Sequence, residues 1–203
     1  MTTQDRPVDG RTSRWAHRRQ ELLGAATDYV LNHGVADLTL RPMAAAIGVT
    51  ITTLIRQFGS KDALVEQIAR GIHDELLVGL REDPELVGRD PEETLRVLWR
   101  RWLDPHQARQ FGLLFELYGL ALRDRGRYAW FITSVVGDWL APIEQALIDA
   151  GWDREQAETT ATLVLALIRG LHLDLAVTGE TARVDRAFKQ AVNLLSRPPT
   201  HSR

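Results

Sequence analysis

The stretch from Thr39 to Phe58, T-L-R-P-M-A-A-A-I-G-V-T-I-T-T-L-I-R-Q-F, restricts the fold more than any other part of the chain. It predicts two short helices joined by a tight turn at Gly48. Thr39 stands where its hydroxyl can accept from an unpaired first-turn N–H. Pro42 falls inside that first turn, where its missing N–H costs little. Ala44, Ala45 and Ala46 favour helix and leave room for a second helix to approach. Gly48 can take the left-handed conformation that ends a helix, and Thr50 can cap the next one. Val49 and Leu54 flank that cap at hydrophobic-staple spacing, as Leu38 and Met43 flank Thr39. Two capped helices around a glycine turn make a helix-turn-helix.

The second of these helices has two unlike faces. Val49, Leu54 and Phe58 fall on one side, and Ile51, Thr52, Ile55 and Arg56 on another. Two isoleucines, a threonine and an arginine make a poor solvated surface. They suit a major groove, where apolar groups meet thymine methyls and Thr or Arg reaches base edges or phosphates. Spacing alone leaves open that Ile51 and Ile55 are simply core.

Charge is divided along the chain. Residues 1–61 carry eight Lys/Arg against five Asp/Glu, and residues 62–203 carry seventeen against twenty-two. A basic head on an acidic body fits a protein that presents one end to a polyanion. With 44% hydrophobic and 26% charged residues the composition is that of an ordinary globular protein. No apolar run is read as long enough to cross a membrane, and no hydrophobic signal core opens the chain. The expected location is the cytoplasm, with no membrane partner. The absence of cysteine excludes disulfides, thiolate metal sites and cysteine nucleophiles together.

Met1 to Ser13 is polar and expected to be disordered. Its Arg6 and Arg11, with Arg14 just beyond, belong either to a solvated tail or to an arm that follows phosphates. Trp15 is placed to anchor that arm. Residues 1–16 are thus read as a flexible basic arm, 17–61 as the helix-turn-helix domain and 62–197 as a helical body. The first helix is expected over about His17 to Asn32, with Leu22, Leu23, Ala26, Tyr29 and Val30 as its apolar stripe. Leu64, Ile68, Ile72, Leu76 and Leu80 recur every four residues along a long helix that leaves the head and enters the body. Asp90-Pro91 and Asp104-Pro105 are helix starts. Further helices follow over about Tyr128 to Ala150, interrupted by Pro142, from Asp153 to about Thr178, and after Gly179 with Thr181 as its cap. The chain reads as all-α, with about nine helices.

The segment Ala161 to Ile168, A-T-L-V-L-A-L-I, is apolar nearly all round. Such a helix needs cover on more than one side, from its own body or from a partner subunit. Aromatic residues are concentrated in three consecutive helices. They make either solid core or the wall of a ligand cavity. The candidate ligand-binding residues are Trp99, Trp102, His106, Phe111, Phe115, Tyr118, Trp130, Trp139 and His172. The sequence contains no G-x-S-x-G, no phosphate-binding glycine loop and no H-E-x-x-H. His172 and Asp174, two apart on a helix, point in different directions. No enzyme activity, metal or cofactor is expected.

From Arg18 to Leu64, about a quarter of the chain, the sequence resembles the DNA-binding domain of the TetR (tetracycline-repressor-like) family of transcriptional regulators. The matching residues are A-A-x-x-Y-V at Ala25 to Val30, His33-Gly34, Thr39-Leu40, I-G-V-T at Ile47 to Thr50, Thr53-Leu54 and F-G-S-K-D-A-L at Phe58 to Leu64. The resemblance implies an N-terminal three-helix DNA-binding domain followed by a ligand-binding and dimerisation domain. It implies a homodimer, more often a repressor than an activator, that binds a palindromic double-stranded operator. A small, largely apolar or aromatic effector, unidentified here, would release it; the alternative is a DNA-binding protein of the same fold without an effector. Candidate DNA contacts are Arg18, Thr39, Arg41, Thr50, Ile51, Thr52, Thr53, Ile55, Arg56, Gln57 and Lys61. The family usually has tyrosine where Ile55 stands and histidine where Gln57 stands, so the tyrosine's phosphate contact is in question. The last two helices are similar to the family's dimer interface, with Val164, Leu167, Leu171 and Phe188 as candidates.

Overall fold

The computed structural model describes residues 10–86 and 88–195. Among the described residues there are nine α-helices and no strand. They are α1 (Gly10–His33), α2 (Leu40–Ala46), α3 (Ile51–Phe58), α4 (Lys61–Glu82), α5 (Pro91–Trp102), α6 (Pro105–Arg123), α7 (Ala129–Asp149), α8 (Arg154–Thr178) and α9 (Thr181–Leu195). The all-α fold expected from periodicity and caps is therefore the fold observed. The chain divides after Ile68, inside α4, into two compact units.

The first unit is built around Leu22, Ala26, Val30, Met43, Leu54, Phe58 and Leu64, all buried. α1 starts at Gly10, about two turns before the start expected at His17. Residues 10–16 carry no apolar stripe, so periodicity has nothing to detect there. Trp15 stands exposed on α1. Arg6 and the rest of residues 1–9 lie outside the described residues. Gly34, Gly48 and Gly59 end α1, α2 and α3 with positive φ of 76°, 71° and 87°, a conformation open to glycine.

The second unit begins three of its helices with aspartate. Asp90, Asp104 and Asp153 accept from Glu93 N, His106 N and Gln156 N at 2.8, 2.8 and 2.9 Å. α8 is the central element, packed against α6, α7 and α9. Its inner residues Val164 and Ile168 join Val97, Leu98 and Trp102 of α5 in one cluster. A second cluster stacks Trp99 on Phe188 of α9 at 4.3 Å. α8 corrects one expectation: an 18-residue window of mean hydropathy 1.6 makes it long and apolar enough to cross a membrane. Periodicity missed this because Arg169 and Asp174 interrupt the run. Its packing on three helices and its buried His172 give the apolar residues another use.

Candidate DNA-reading head and body cavity

α3 is fixed from both ends. Thr50 Oγ1 accepts from Thr53 N at 3.1 Å and lies 2.9 Å from the Thr53 hydroxyl. Leu54 and Phe58 anchor the inner face, 1% and 5% exposed. Arg19 of α1 holds the far end: its Nε donates to Gln57 O at 3.4 Å, its NH2 reaches Gln67 of α4, and its guanidinium lies over the Phe58 ring at 5.3 Å. What remains outward is Thr52, Ile55 and Arg56, with Ile51 half-buried beside them. Ile55 is 47% exposed, which resolves it as a surface residue.

The other candidate DNA contacts fall into two groups. Arg41, Thr39 and Thr50 are exposed at the starts of α2 and α3. Thr39 occupies the N-cap position with extended backbone but makes no cap hydrogen bond; the buried pair Leu38 and Met43 supports that helix start instead. Arg18, Thr53, Gln57 and Lys61 are engaged within the head. Arg18 pairs with Glu21 at 3.1 Å, and Lys61 Nζ donates to Leu38 O at 3.0 Å. Gln57 is half-buried with its amide oxygen unpartnered, because one step beyond Arg56 rotates it about 100° toward the core.

The second unit contains a cavity of about 360 Å³, within the range of small-molecule sites. Of the candidate residues Trp102, Phe111, Trp130 and Trp139 stand on its wall, joined by Phe131 and by leucines of α4, α5 and α6. Trp99, His106, Phe115, Tyr118 and His172 do not. Trp99 is fully buried against Phe188 and donates from Nε1 to Asp185 at 3.2 Å. His106 is exposed. Tyr118 packs edge-on to Phe131 at 5.2 Å, under the Arg169 guanidinium at 5.5 Å. Phe115 neighbours Phe111 at 6.3 Å. His172 lies behind Phe111, stacked at 3.8 Å, with Trp99 and Trp102 edge-on at 4.7 and 5.9 Å. Aromatic content alone does not separate a cavity wall from the layer behind it.

Polar wall residues were the part that sequence reasoning missed. Arg70, His73, Arg89, Gln110, Ser134 and Arg169 line the cavity. His73 Nδ1 accepts from Trp139 Nε1 at 3.2 Å, and its Nε2 lies 3.0 Å from Asp138 Oδ2. The first bond leaves the proton on Nε2, which donates to the carboxylate. Arg70 lies over Trp130 at 5.4 Å and donates to Ser134 Oγ at 3.4 Å. Burial holds the Arg169 guanidinium below its usual range and pushes the Tyr118 hydroxyl up. A visible signal existed for Gln110: it shares a helical face with Leu113, Leu114 and Leu117, where an apolar residue is the rule.

His172 is buried and neutral. Burial lowers its pKa to about 4, opposed by the hydrogen bond to Ile168 O. Nδ1 makes that bond at 2.8 Å, and Nε2 is buried with no partner.

The candidate dimer residues are also corrected. Val164 and Phe188 are 3% and 2% exposed, inside the chain's own core. Leu171 packs on the Trp99 cluster and Leu167 is half-buried. The apolar residues of α8 left bare are Leu163, Ala166, Gly170, Leu173, Ala176 and Val177; apart from Ala176 they stand at spacings of three, four, three and four. That is the rhythm of a helix–helix seam, one step out of register with the inner face read from sequence. Leu194 of α9 is also exposed, at 73%.

Comparison with known proteins agrees with this geometry. The sequence profile of bacterial regulatory proteins of the tetR family matches residues 22–68. The HTH-type transcriptional repressor KstR2 of Rhodococcus jostii is 36% identical over 92 residues, which are 45% of this chain and 44% of that protein. The match therefore spans less than half of the relative's length. Two crystal structures share the fold at lower identity. A transcriptional regulator from Rhodococcus sp. gives a TM-score of 0.74 at 22% identity, covering 87% of this chain and 95% of that one. A TetR transcriptional regulator from Legionella pneumophila gives 0.68 at 14% identity, covering 88% and 97%. The helix-turn-helix of α2 and α3, its glycine turn and its threonine cap all lie in the matched segment, so residues 22–68 form a head of the kind found in the tetR family of bacterial regulatory proteins.

Proposed function

We propose that this protein is a homodimeric transcriptional repressor released from its operator by a small, largely apolar molecule. One observation carries the reading: a capped helix with two buried anchors turns Thr52, Ile55 and Arg56 outward. Apolar and cationic groups side by side match thymine methyls and guanine edges. A symmetric dimer sets two such helices about 34–36 Å apart, or a multiple of that, along a two-fold operator. The bare stripe Leu163, Ala166, Gly170, Leu173 and Val177 supports pairing through α8. Its small residues allow a second helix close approach, and a two-fold contact lays the stripe on itself. The cavity supports an effector. A ligand there acts only through its different affinity for the two head spacings, and α4, which continues from the head into the body, is the element that transmits the difference.

The test is selection of duplexes from a random pool by the full chain, followed by affinity measurement over a range of salt. A single two-fold sequence should emerge, bound with steep salt dependence and far more tightly than random DNA. Equal affinity for all duplexes refutes the reading.

A further inference from the structure

We infer that the body cavity selects a neutral, mostly apolar molecule bearing one hydroxyl group, and that Gln110 is the residue that reads this group. The inference rests on the proposal that the cavity is a ligand site, and adds what the ligand must carry.

Gln110 belongs to the cavity wall and is 5% exposed. Its Nε2 lies 3.3 Å from His106 Nε2, but its Oε1 is buried with no hydrogen-bond partner. A buried acceptor left unmade is costly, and its wall neighbours along α6 are Phe111, Leu113, Leu114 and Leu117. The terminal torsion of a glutamine is broad, so a hydroxyl set against this wall can meet the amide oxygen by a small rotation. Should the amide be oriented the other way, its NH2 would be the orphan, and a hydroxyl satisfies that too.

The charged wall residues argue for a neutral ligand. Arg70 is occupied by Ser134 and Trp130, and Arg89 by Glu85 and Glu93 at 3.9 and 3.7 Å. Arg169 lies over Tyr118, and His73 is held between Trp139 and Asp138. Among the described residues no Asp or Glu lines the cavity, so that wall offers no carboxylate to an ammonium group. The engaged cations do not call for a carboxylate. A volume of about 360 Å³ holds on the order of a dozen water-sized groups. That is the size of a two-ring aromatic, and the tryptophans of the wall suit a flat one.

Calorimetry on the full chain with 2-naphthol, its isostere 2-methylnaphthalene, and 2-naphthoate tests the assignment. Wild-type protein should bind 2-naphthol roughly 10- to 100-fold more tightly than 2-methylnaphthalene. In Gln110→Leu the ratio should fall to about one while 2-methylnaphthalene still binds, which certifies that the variant is folded. Equal wild-type affinities, a preference that survives Gln110→Leu, or tightest binding of 2-naphthoate each overturns the inference. Binding of none of the three overturns the cavity reading as well, whereas binding without order removes only the role of Gln110. Operator affinity, measured without ligand, is independent of all these outcomes.

Discussion

α3 and α8 both leave isoleucine, leucine or valine in the open, and their surroundings differ. On α3 the bare Ile55 is flanked by Thr52 and Arg56, and the helix is only eight residues long. On α8 the bare Leu163, Leu173 and Val177 are separated by Ala166 and Gly170, and the helix runs for 25 residues. Interleaved hydroxyl and guanidinium groups make a surface that can trade water for base edges and phosphates. Interleaved small residues make a surface that another helix can approach closely, burying a continuous seam. A run of exposed apolar residues is a candidate contact surface. The residues between the apolar ones say which kind.

The largest effect expected from this contrast is on α8. Ala166→Glu places a carboxylate in the centre of the seam, where a second copy would bury it unpaired. Dimer dissociation should become at least ~100-fold more favourable, and light scattering should report the mass of a monomer. Operator affinity should fall with it, because two heads no longer bind together, while the helical circular dichroism stays unchanged. A dimer that persists at micromolar concentration separates α8 from the assembly.

The covered face of α8 gives the next effect. The pKa of His172, lowered to about 4 from 6.5 by burial, means that the unfolded chain takes up a proton which the folded chain refuses. Its contribution to stability is complete above pH 6.5 and is lost as the pH falls toward 4, by up to ~3 kcal/mol. His172→Phe should remove that part of the acid slope, whatever its effect at neutral pH. Denaturant titrations from pH 7 to 4 provide the comparison. An unchanged slope means that the aromatic box formed by Trp99, Trp102 and Phe111 does not keep the ring neutral.

On α3 the corresponding loss is smaller and confined to DNA. Arg56→Ala should weaken operator binding by about 10- to 30-fold, the worth of roughly one base or phosphate contact, without moving the thermal midpoint. Ile55→Ala should act on fewer sequences, mainly those that present a thymine methyl. Unaltered affinity in both variants would take α3 out of the groove.

The two regions were not equally legible in the sequence. The head is written in local signals: a threonine cap, a glycine turn, and a staple at fixed offsets, each requiring only residues within one turn. These gave α2, α3 and the outward Thr52, Ile55 and Arg56 nearly to the residue, with Ile51 half-buried beside them. The body depends on contacts between residues far apart in the chain. The apolar run of α8 announced that more than one side is covered. Nothing in it distinguished Val164, which faces Leu98 and Trp102, from Leu163, which faces outward, because both lie in an unbroken hydrophobic stretch. The same limit hid the cavity: Trp99 and Trp102 are equally aromatic and three apart, yet one stacks on Phe188 and the other lines the wall. Gln110 is readable in principle as a polar residue on an apolar face, but aromatic residues and histidines give the stronger local signal of a ligand site.

The smallest expected effect separates two uses of one side chain. Thr50 caps α3 through Oγ1 and stands exposed at the start of the proposed reading helix. Thr50→Ala removes both uses and should cost ~1 kcal/mol of stability. Thr50→Asp keeps an acceptor for Thr53 N and puts a negative charge at a helix N-terminus, where the macrodipole favours it. Stability should therefore equal or exceed that of the wild type. Against DNA the same carboxylate is repelled by the backbone, so affinity should fall further than in Thr50→Ala, most strongly at low salt. Opposite signs for stability and binding in one variant would assign the start of α3 to the DNA surface. Parallel loss of both would leave Thr50 with a purely structural part and move the edge of the reading surface on to Thr52.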